Sequence, residues 1–336
     1  MIGEIGNFKL KNGEEILVKK FLPPAEEFKA RLLKFFPYTA SVWDEEKRRR
    51  VEGDLLGLSK DYFFMGEIAG ELVGNIWYTT PFDMEEVATL GFVYIKLEHR
   101  RKGIAIVLME QVLKDFLAKS KGFSCIYLNT SMDNPVHEIY ARFGFKDYNY
   151  QGTNTVMRLA IPTEQEFDSE YFFWKGKAEG RETHRGDLPK LEALFNRPGW
   201  IVKDFVRRVI GTTPYEGQFV EMMNAVDKGY SYSLVLENPK GIIVGWASVT
   251  FRQMSYQVDF LVCPEYEKQT FELVEEVIEK GKATNLHSCA APEDVAKIRI
   301  LDLLGFKSER IIDIKIGTQD FPILFFSKSN HKISPL

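Results

Sequence analysis

Cysteine is scarce in this chain. Three cysteines, Cys125, Cys263 and Cys289, are spread over 336 residues, too few and too scattered for a disulfide framework or a zinc site, so no metal is expected. Long apolar runs are also missing. No stretch approaches the ~18 apolar residues of a membrane span, and Met1-Ile2-Gly3-Glu4 opens with neither a basic region nor an apolar core, which leads to the expectation of a cytoplasmic protein. Nor is there a basic excess. The formal net charge of −4 offers no field for nucleic acid or anionic lipid. The longest basic run, Lys47 to Arg50, directly follows Asp44, Glu45 and Glu46, as on a solvated helix face. What the chain does have is apolar content, 45% hydrophobic and 13% aromatic, enough for two cores in a length that suits two domains.

The most informative segment is Gly91 to Lys119. Phe92 to Ile95 reads as a strand, Glu98 to Lys102 as a turn, and Gly103 to Ala118 as a helix, with apolar positions at Ile104, Val107, Leu108, Val112, Leu113 and Phe116. The first turn of such a helix carries backbone N–H groups without intrahelical partners and the positive end of the macrodipole, so it can hold a phosphate. Gly103 and Ala105 lack bulk that would keep an anion from the backbone, and Arg100, Arg101 and Lys102 add positive charge.

This strand, turn and helix resembles motif A of the GNAT acyltransferase family, whose pattern [RQ]-x-x-G-x-[GA] is met by Arg100, Gly103 and Ala105. Two further landmarks are similar to the family's and fall in its order. MGEIAGELVGNIWY, Met65 to Tyr78, resembles the family's hairpin, and Tyr140 with Gly144-Phe145 resembles its late helix and following strand. The resemblance covers roughly residues 15 to 160.

The second half repeats the design. VLENPKGIIVGWASV, Val235 to Val249, mirrors the hairpin with Gly245 for Gly74, and LLGFKSE, Leu303 to Glu309, mirrors the late turn with Gly305 for Gly144. Motif A is degenerate there. Glu267, Thr270 and Glu272 stand where Arg100, Gly103 and Ala105 were, and Leu301 stands for Tyr140. A carboxylate about 5 Å from a diphosphate repels it by roughly 3 kcal/mol per charge pair at an effective dielectric near 20. The expectation is an α/β chain of two tandem acyl-CoA N-acyltransferase domains, 1–162 intact and 163–336 without a working cradle, each a mixed, mostly antiparallel sheet flanked by helices. The boundary falls in Ile161 to Glu170, with Tyr171-Phe172-Phe173-Trp174 starting the next strand.

The resemblance implies acetyl-coenzyme A as co-substrate and an N-acetyltransferase that modifies a primary amine of a small molecule or peptide. The pyrophosphate would sit on the N–H groups from Arg101 through Lys102, Gly103 and Ile104 to Ala105, beside Arg100. The pantetheine arm would pair along Val93, Tyr94 and Ile95 as an added strand. Asn134, with Asp133, precedes the late helix where the family often has Asn, and an N-cap role explains either residue equally well. Tyr140 resembles the family's general acid. The base is the weak point. Thr89 stands where many members carry Glu and cannot accept a proton, which leaves Glu85, Glu86 and Asp83 in the loop just upstream; these would also favour a cationic amine. His99 and His137 read as structural. The family's acceptor region maps to Pro37 to Arg50 with Trp77, Tyr78 and Phe82. Two roles are open for the second half, part of the acceptor cleft or a homodimer surface. A module that holds acyl-coenzyme A without turnover is the alternative that Thr89 favours.

Overall fold

The computed structural model describes residues 2–37, 39, 41–120, 122–151, 153–173, 176–197, 215–252, 254–316 and 319–329. Its elements in chain order begin with β1 (Ile2–Lys9), β2 (Glu15–Phe21), α1 (Glu26–Phe35), α2 (Val42–Glu52), β3 (Ser59–Ile68), β4 (Glu71–Pro81), β5 (Val87–Ile95) and α3 (Ile104–Lys119). There follow β6 (Ser124–Ser131), α4 (Pro135–Arg142), β7 (Lys146–Gln151), β8 (Asn154–Ile161) and α5 (Glu164–Phe172). The remainder comprises β9 (Glu179–Glu182), α6 (Leu188–Phe195), α7 (Tyr215–Asp227), β10 (Ser231–Glu237), β11 (Ile243–Arg252), β12 (Ser255–Val262), α8 (Glu267–Lys280), β13 (Leu286–Ala290), α9 (Val295–Leu303), β14 (Lys307–Ile316) and β15 (Gln319–Lys328). The chain divides into two compact units. The first holds Met1–Asn149, Thr153–Ser169 and Arg185–Lys190, and the second holds Tyr150–Gly152, Glu170–His184 and Leu191–Leu336. Among the described residues no helix is long and apolar enough to cross a membrane, and no group of His, Cys, Asp and Glu is arranged to hold a metal ion.

Local chemistry explains the main turns. Ala69 and Gly70, both at positive φ (49° and 81°), make the tight reversal between β3 and β4. Ser41 caps α2 through a reciprocal capping box with Asp44, and Gly53 ends it in the left-handed conformation. The expected strand start at Tyr171 is a correction. Tyr171 and Phe172 are the last residues of α5, and Trp174 lies outside the described residues. The acidic run read as the domain boundary holds the helix's first turn, where the Glu166 N–H donates to the Thr163 hydroxyl oxygen at 3.2 Å and that hydroxyl donates to the Glu166 carboxylate at 2.6 Å. Phe167 and Tyr171, four apart, are fully buried, and Arg158 grips Asp168 with two bonds of 2.8 and 2.9 Å.

The first unit's sheet runs β1-β2-β3-β4-β5-β6-β8-β7; its pairs from β1 to β8 are antiparallel except β5 with β6. The second runs β14-β15-β13-β12-β11-β10-β9, with β12 and β13 its parallel pair. Read from β2 and from β9, the two orders correspond strand for strand. Register agrees with the sequence counting: Gly74 pairs with Ile95 as Gly245 pairs with Val262. Both sheets are flanked by helices, so the fold is mixed α/β with two mostly antiparallel sheets.

One face of the first sheet packs on α3, whose Leu108, Val112 and Phe116 meet Phe64, Ile76, Tyr78 and Ile126 in a single core. Truncating any of these large side chains costs about 2–5 kcal/mol. At the far end of α3, Asp115 accepts from Tyr78 (2.6 Å) and Lys20 (2.6 Å) and pairs with Lys119, while Tyr62 stacks on Tyr78. Burial pushes the Lys119 ammonium down to about 8; Asp115 pulls it up and Lys20 pushes it further down. Tyr78 therefore belongs to the α3 face and not to the acceptor region expected for it.

The opposite face meets α1 and α2, and here the basic run departs from a solvated helix face. Arg50 is 0% exposed, held at 2.7 Å from Glu46 and 2.8 Å from Asp61, with its guanidinium 4.8 Å from the Trp77 ring centre. Glu46 is a local partner one turn away, but Asp61 and Trp77 lie on β3 and β4, distant in sequence, so the acidic residues beside Arg50 could not reveal its burial. Within the same unit Arg185 donates to Glu46 at 2.6 Å.

Candidate active site

β5 and β6 part company early. Among the described residues only Val87, Ala88 and Thr89 pair with β6, and from Leu90 onward none of them forms a strand beside the β6-facing edge of β5. The strand then bulges. Phe92 adopts φ +48°, a conformation that costs a bulky residue of order 1–3 kcal/mol, and register shifts between Asn75 and Trp77 opposite it. Asn75 holds the bulge by donating from Nδ2 to the Phe92 carbonyl at 3.1 Å.

After β5 the chain makes a 3-10 turn over Leu97–His99, passes Arg101 at φ +64° and Gly103 at φ +93°, and enters α3. No side chain caps this helix. The first ladder bonds run from the Ile106 and Val107 N–H groups to the Gly103 carbonyl, so the N–H groups of Arg101 to Ala105 lie ahead of it. They open onto a cleft of about 600 Å³. Gly74 makes the close approach of α3 to the sheet, since a β-carbon there would meet Ile95 at 2.7 Å and Ile104 at 2.9 Å.

The structure brings eight of the expected cofactor residues into the cleft wall: Val93, Ile95, Arg100, Arg101, Gly103, Ile104, Ala105 and Asn134. Asn134 is the N-cap of α4, accepting from the Val136 N–H at 3.1 Å, which decides between it and Asp133. Arg100 Nε donates to the Ile95 carbonyl at 3.1 Å and so also closes the turn. Two of the expected cofactor residues are not in the wall. Tyr94 alternates to the other face and packs edge-on against Phe35 at 5.2 Å, and Lys102 extends to Glu14 at 2.9 Å.

Sequence reading missed Lys11, on the turn between β1 and β2. It lines the cleft, and its N–H donates to the Lys102 carbonyl at 3.2 Å. Val136, Ile139 and Arg142, on one face of α4, line it as well, as does His99. An α4 face with period 3–4 was the available signal for the first three. No local signal ties a hairpin turn to a helix N-terminus more than 90 residues away.

Tyr140 is 5% exposed. Its ring lies in the core, 5.9 Å from Phe145, on a different side of α4 from Ile139 and Arg142. The structure does not bring Glu85 and Glu86 to the bulge. They precede β5, about 20 Å along the strand from Phe92. Glu85 pairs with Lys60 at 2.9 Å, and Asp83 pairs with Lys190 at 2.8 Å. Thr89 is buried with its hydroxyl unpartnered. His137 bonds Asp147 at 2.8 Å, away from the cleft wall.

The second unit's counterpart is built differently. Ile104 lies nine residues past Ile95, but Glu267, where α8 starts, lies only five past Val262, so α8 begins one turn earlier. Thr270, in Gly103's place, is therefore inside the helix and fully buried, and the N–H groups after it join the ladder. Glu267 pairs with Arg299 at 3.0 Å. Beyond the last β12–β13 pair, Asp259 occupies Phe92's register and binds Lys297 of α9 at 2.6 Å, both buried.

Residues 26–145 match the acetyltransferase (GNAT) family. Among solved structures, the chain resembles the ribosomal-protein-S5-alanine acetyltransferase from Vibrio fischeri (14% identity, 48% of this chain and 98% of that one, TM-score 0.38). It also resembles a GNAT superfamily phosphinothricin acetyltransferase from Sinorhizobium meliloti in complex with acetyl-CoA (12%, 46% and 89%, TM-score 0.38). A third is the ribosomal-protein-alanine N-acetyltransferase from Brucella melitensis (20%, 45% and 99%, TM-score 0.38). No curated protein matches the chain. The Sinorhizobium meliloti structure holds acetyl-CoA, the co-substrate that the sequence resemblance implies. The residues present fit it: a left-handed glycine before an uncapped helix, cations beside it, and an unpaired strand edge leading away from both.

Proposed function

We propose that the first unit is an acetyl-coenzyme A-dependent N-acetyltransferase acting on a primary amine. The observation that carries this reading is the uncapped start of α3 at Gly103, opening onto the cleft beside the unpaired edge of β5. The N–H groups of Arg101 to Ala105, with Arg100 and Lys11, would hold the phosphates, and Val93 to Ile95 would offer backbone partners to the pantetheine arm. When bound, the co-substrate supplies the acetyl group as a thioester. The strained Phe92 bulge marks where the strand turns its backbone toward the gap, the place for an N–H that holds the carbonyl oxygen.

An amine near pKa 10.4 is neutral in only roughly one molecule in 2,500 at pH 7. Glu85 and Glu86 are too far along β5 to act directly, and Glu46 and Asp61 are committed to arginines. The reading supported best is that desolvation against the aromatic side chains around Phe92 favours the neutral amine, its proton leaving to water. Tyr140, packed near Phe145 on the buried side of α4, is assigned the proton of the departing thiolate on the family resemblance alone. We assign the second unit the role of a degenerate copy, on its matching strand order and its altered helix start. Acetyl-CoA calorimetry combined with thiol release on an amine panel tests the reading. Binding with release supports it, binding without release leaves only a holding module, and no binding overturns it.

A further inference from the structure

The α1/α2 side of the bulge carries an aromatic surface from three places in the chain. Phe92 stacks on Trp77 at 4.4 Å between ring centres, Trp43 meets Phe92 edge-on at 5.8 Å, and Phe36 lies 5.9 Å away. Trp77 is buried beneath; Phe92, Trp43 and Phe36 are only partly buried. Three large rings left partly accessible around a residue held at φ +48° are more than a closed core requires.

Charge on this face is already balanced from behind. Arg50 lies against Trp77 between Glu46 and Asp61, and Lys47 sits 5.7 Å from the Phe36 ring centre while paired with Asp44 at 2.7 Å. Both neighbouring cations are thus positioned against the rings, and the carboxylates near them are spoken for. A second ammonium on the acceptor would find no uncommitted carboxylate among these residues and would face Lys47. The acidic loop expected to favour a cationic amine is at the other end of β5, with Asp83 and Glu85 paired to lysines.

We propose that the acceptor is a monoamine carried on an aromatic group, whose ring seats on Trp43 and Phe92 while its amine reaches the bulge. This rests on reading the cleft as an acetyl-coenzyme A site, because that reading puts the acyl group at Phe92. Phe92 forms the wall between the two sites. Trp43 sets specificity by offering an edge and a face that an alkyl chain uses less well.

The test compares 2-phenylethylamine, butylamine and spermidine as acceptors, with acetyl-CoA affinity measured separately by calorimetry. Phenylethylamine should exceed the other two at least tenfold in kcat/KM. Trp43→Ala should reduce its selectivity over butylamine at least tenfold, mainly through KM, with Trp43→Phe restoring much of it. Independently of turnover, phenylethylamine should quench tryptophan fluorescence of the wild type and not of Trp43→Ala, whose melting curve reports folding. Preference for spermidine, an equal effect of Trp43→Ala on all three amines, or no quenching would overturn the proposal. Loss of acetyl-CoA binding with quenching intact would instead overturn the cofactor reading and leave the aromatic subsite standing.

Discussion

Lys11 covers Gly103: a β-carbon on Gly103 would lie 3.3 Å from Lys11 Cγ, and the Lys11 backbone is tied to Lys102 beside it. A hairpin turn therefore sits over the helix start that is the proposed phosphate cradle. Lys11→Met keeps the stem and removes the charge. Acetyl-CoA affinity should fall about 5- to 10-fold, the scale of about 1 kcal/mol for one partly exposed charge contact. An unchanged calorimetric Kd would limit Lys11 to packing.

Stoichiometry should be one acetyl-CoA per chain. In the second unit the earlier start of α8 uses the N–H groups that would otherwise face an anion, and the Asp259–Lys297 pair lies in the register of the bulge. Titration calorimetry giving two equivalent sites would refute this account.

Tyr140→Phe should lower turnover by roughly 10²- to 10⁴-fold with little change in acetyl-CoA affinity, the usual range for losing a positioned acid. The ring's packing near Phe145 is kept, so the melting temperature should hardly move. Turnover within a few fold of wild type would reduce Tyr140 to a core residue.

The Lys119 cluster makes stability depend on pH. Burial lowers the folded-state value to about 8, below the ordinary ~10.4, so between these values the unfolded chain binds more protons and wild-type stability rises with pH. Relative to Lys119→Met, the wild type should gain about 1–2 kcal/mol between pH 7.5 and 9.5 in urea denaturation. A flat difference would show that Asp115 holds the ammonium fully charged throughout.

Sequence patterns carried most of the fold because their causes are local. The turn at Gly70, the long amphipathic helix after the basic turn and the Gly144 stop all follow from preferences of a few adjacent residues, whereas Gly103, read as the first helical residue, sits just before the helix in the left-handed conformation. The counted correspondence of Gly74 with Gly245 agrees with the strand register for the same reason. Where local signals competed, the reading failed: Tyr171 looked like the start of a strand, although the Thr163 hydroxyl accepts from the Glu166 N–H and so caps the helix that contains it.

The sequence by itself determined where a strand ends and a long helix begins behind a basic turn in the first half, and that the second half lacks the same residues. Only the tertiary structure decided what surrounds that helix start. Lys11 reaches Gly103, Arg50 is buried between Glu46 and Asp61, and Trp43 meets Phe92 through contacts between elements far apart in the chain. Packing and ion pairing depend on which surfaces the sheet brings together, and periodicity along one segment carries no information about its partners.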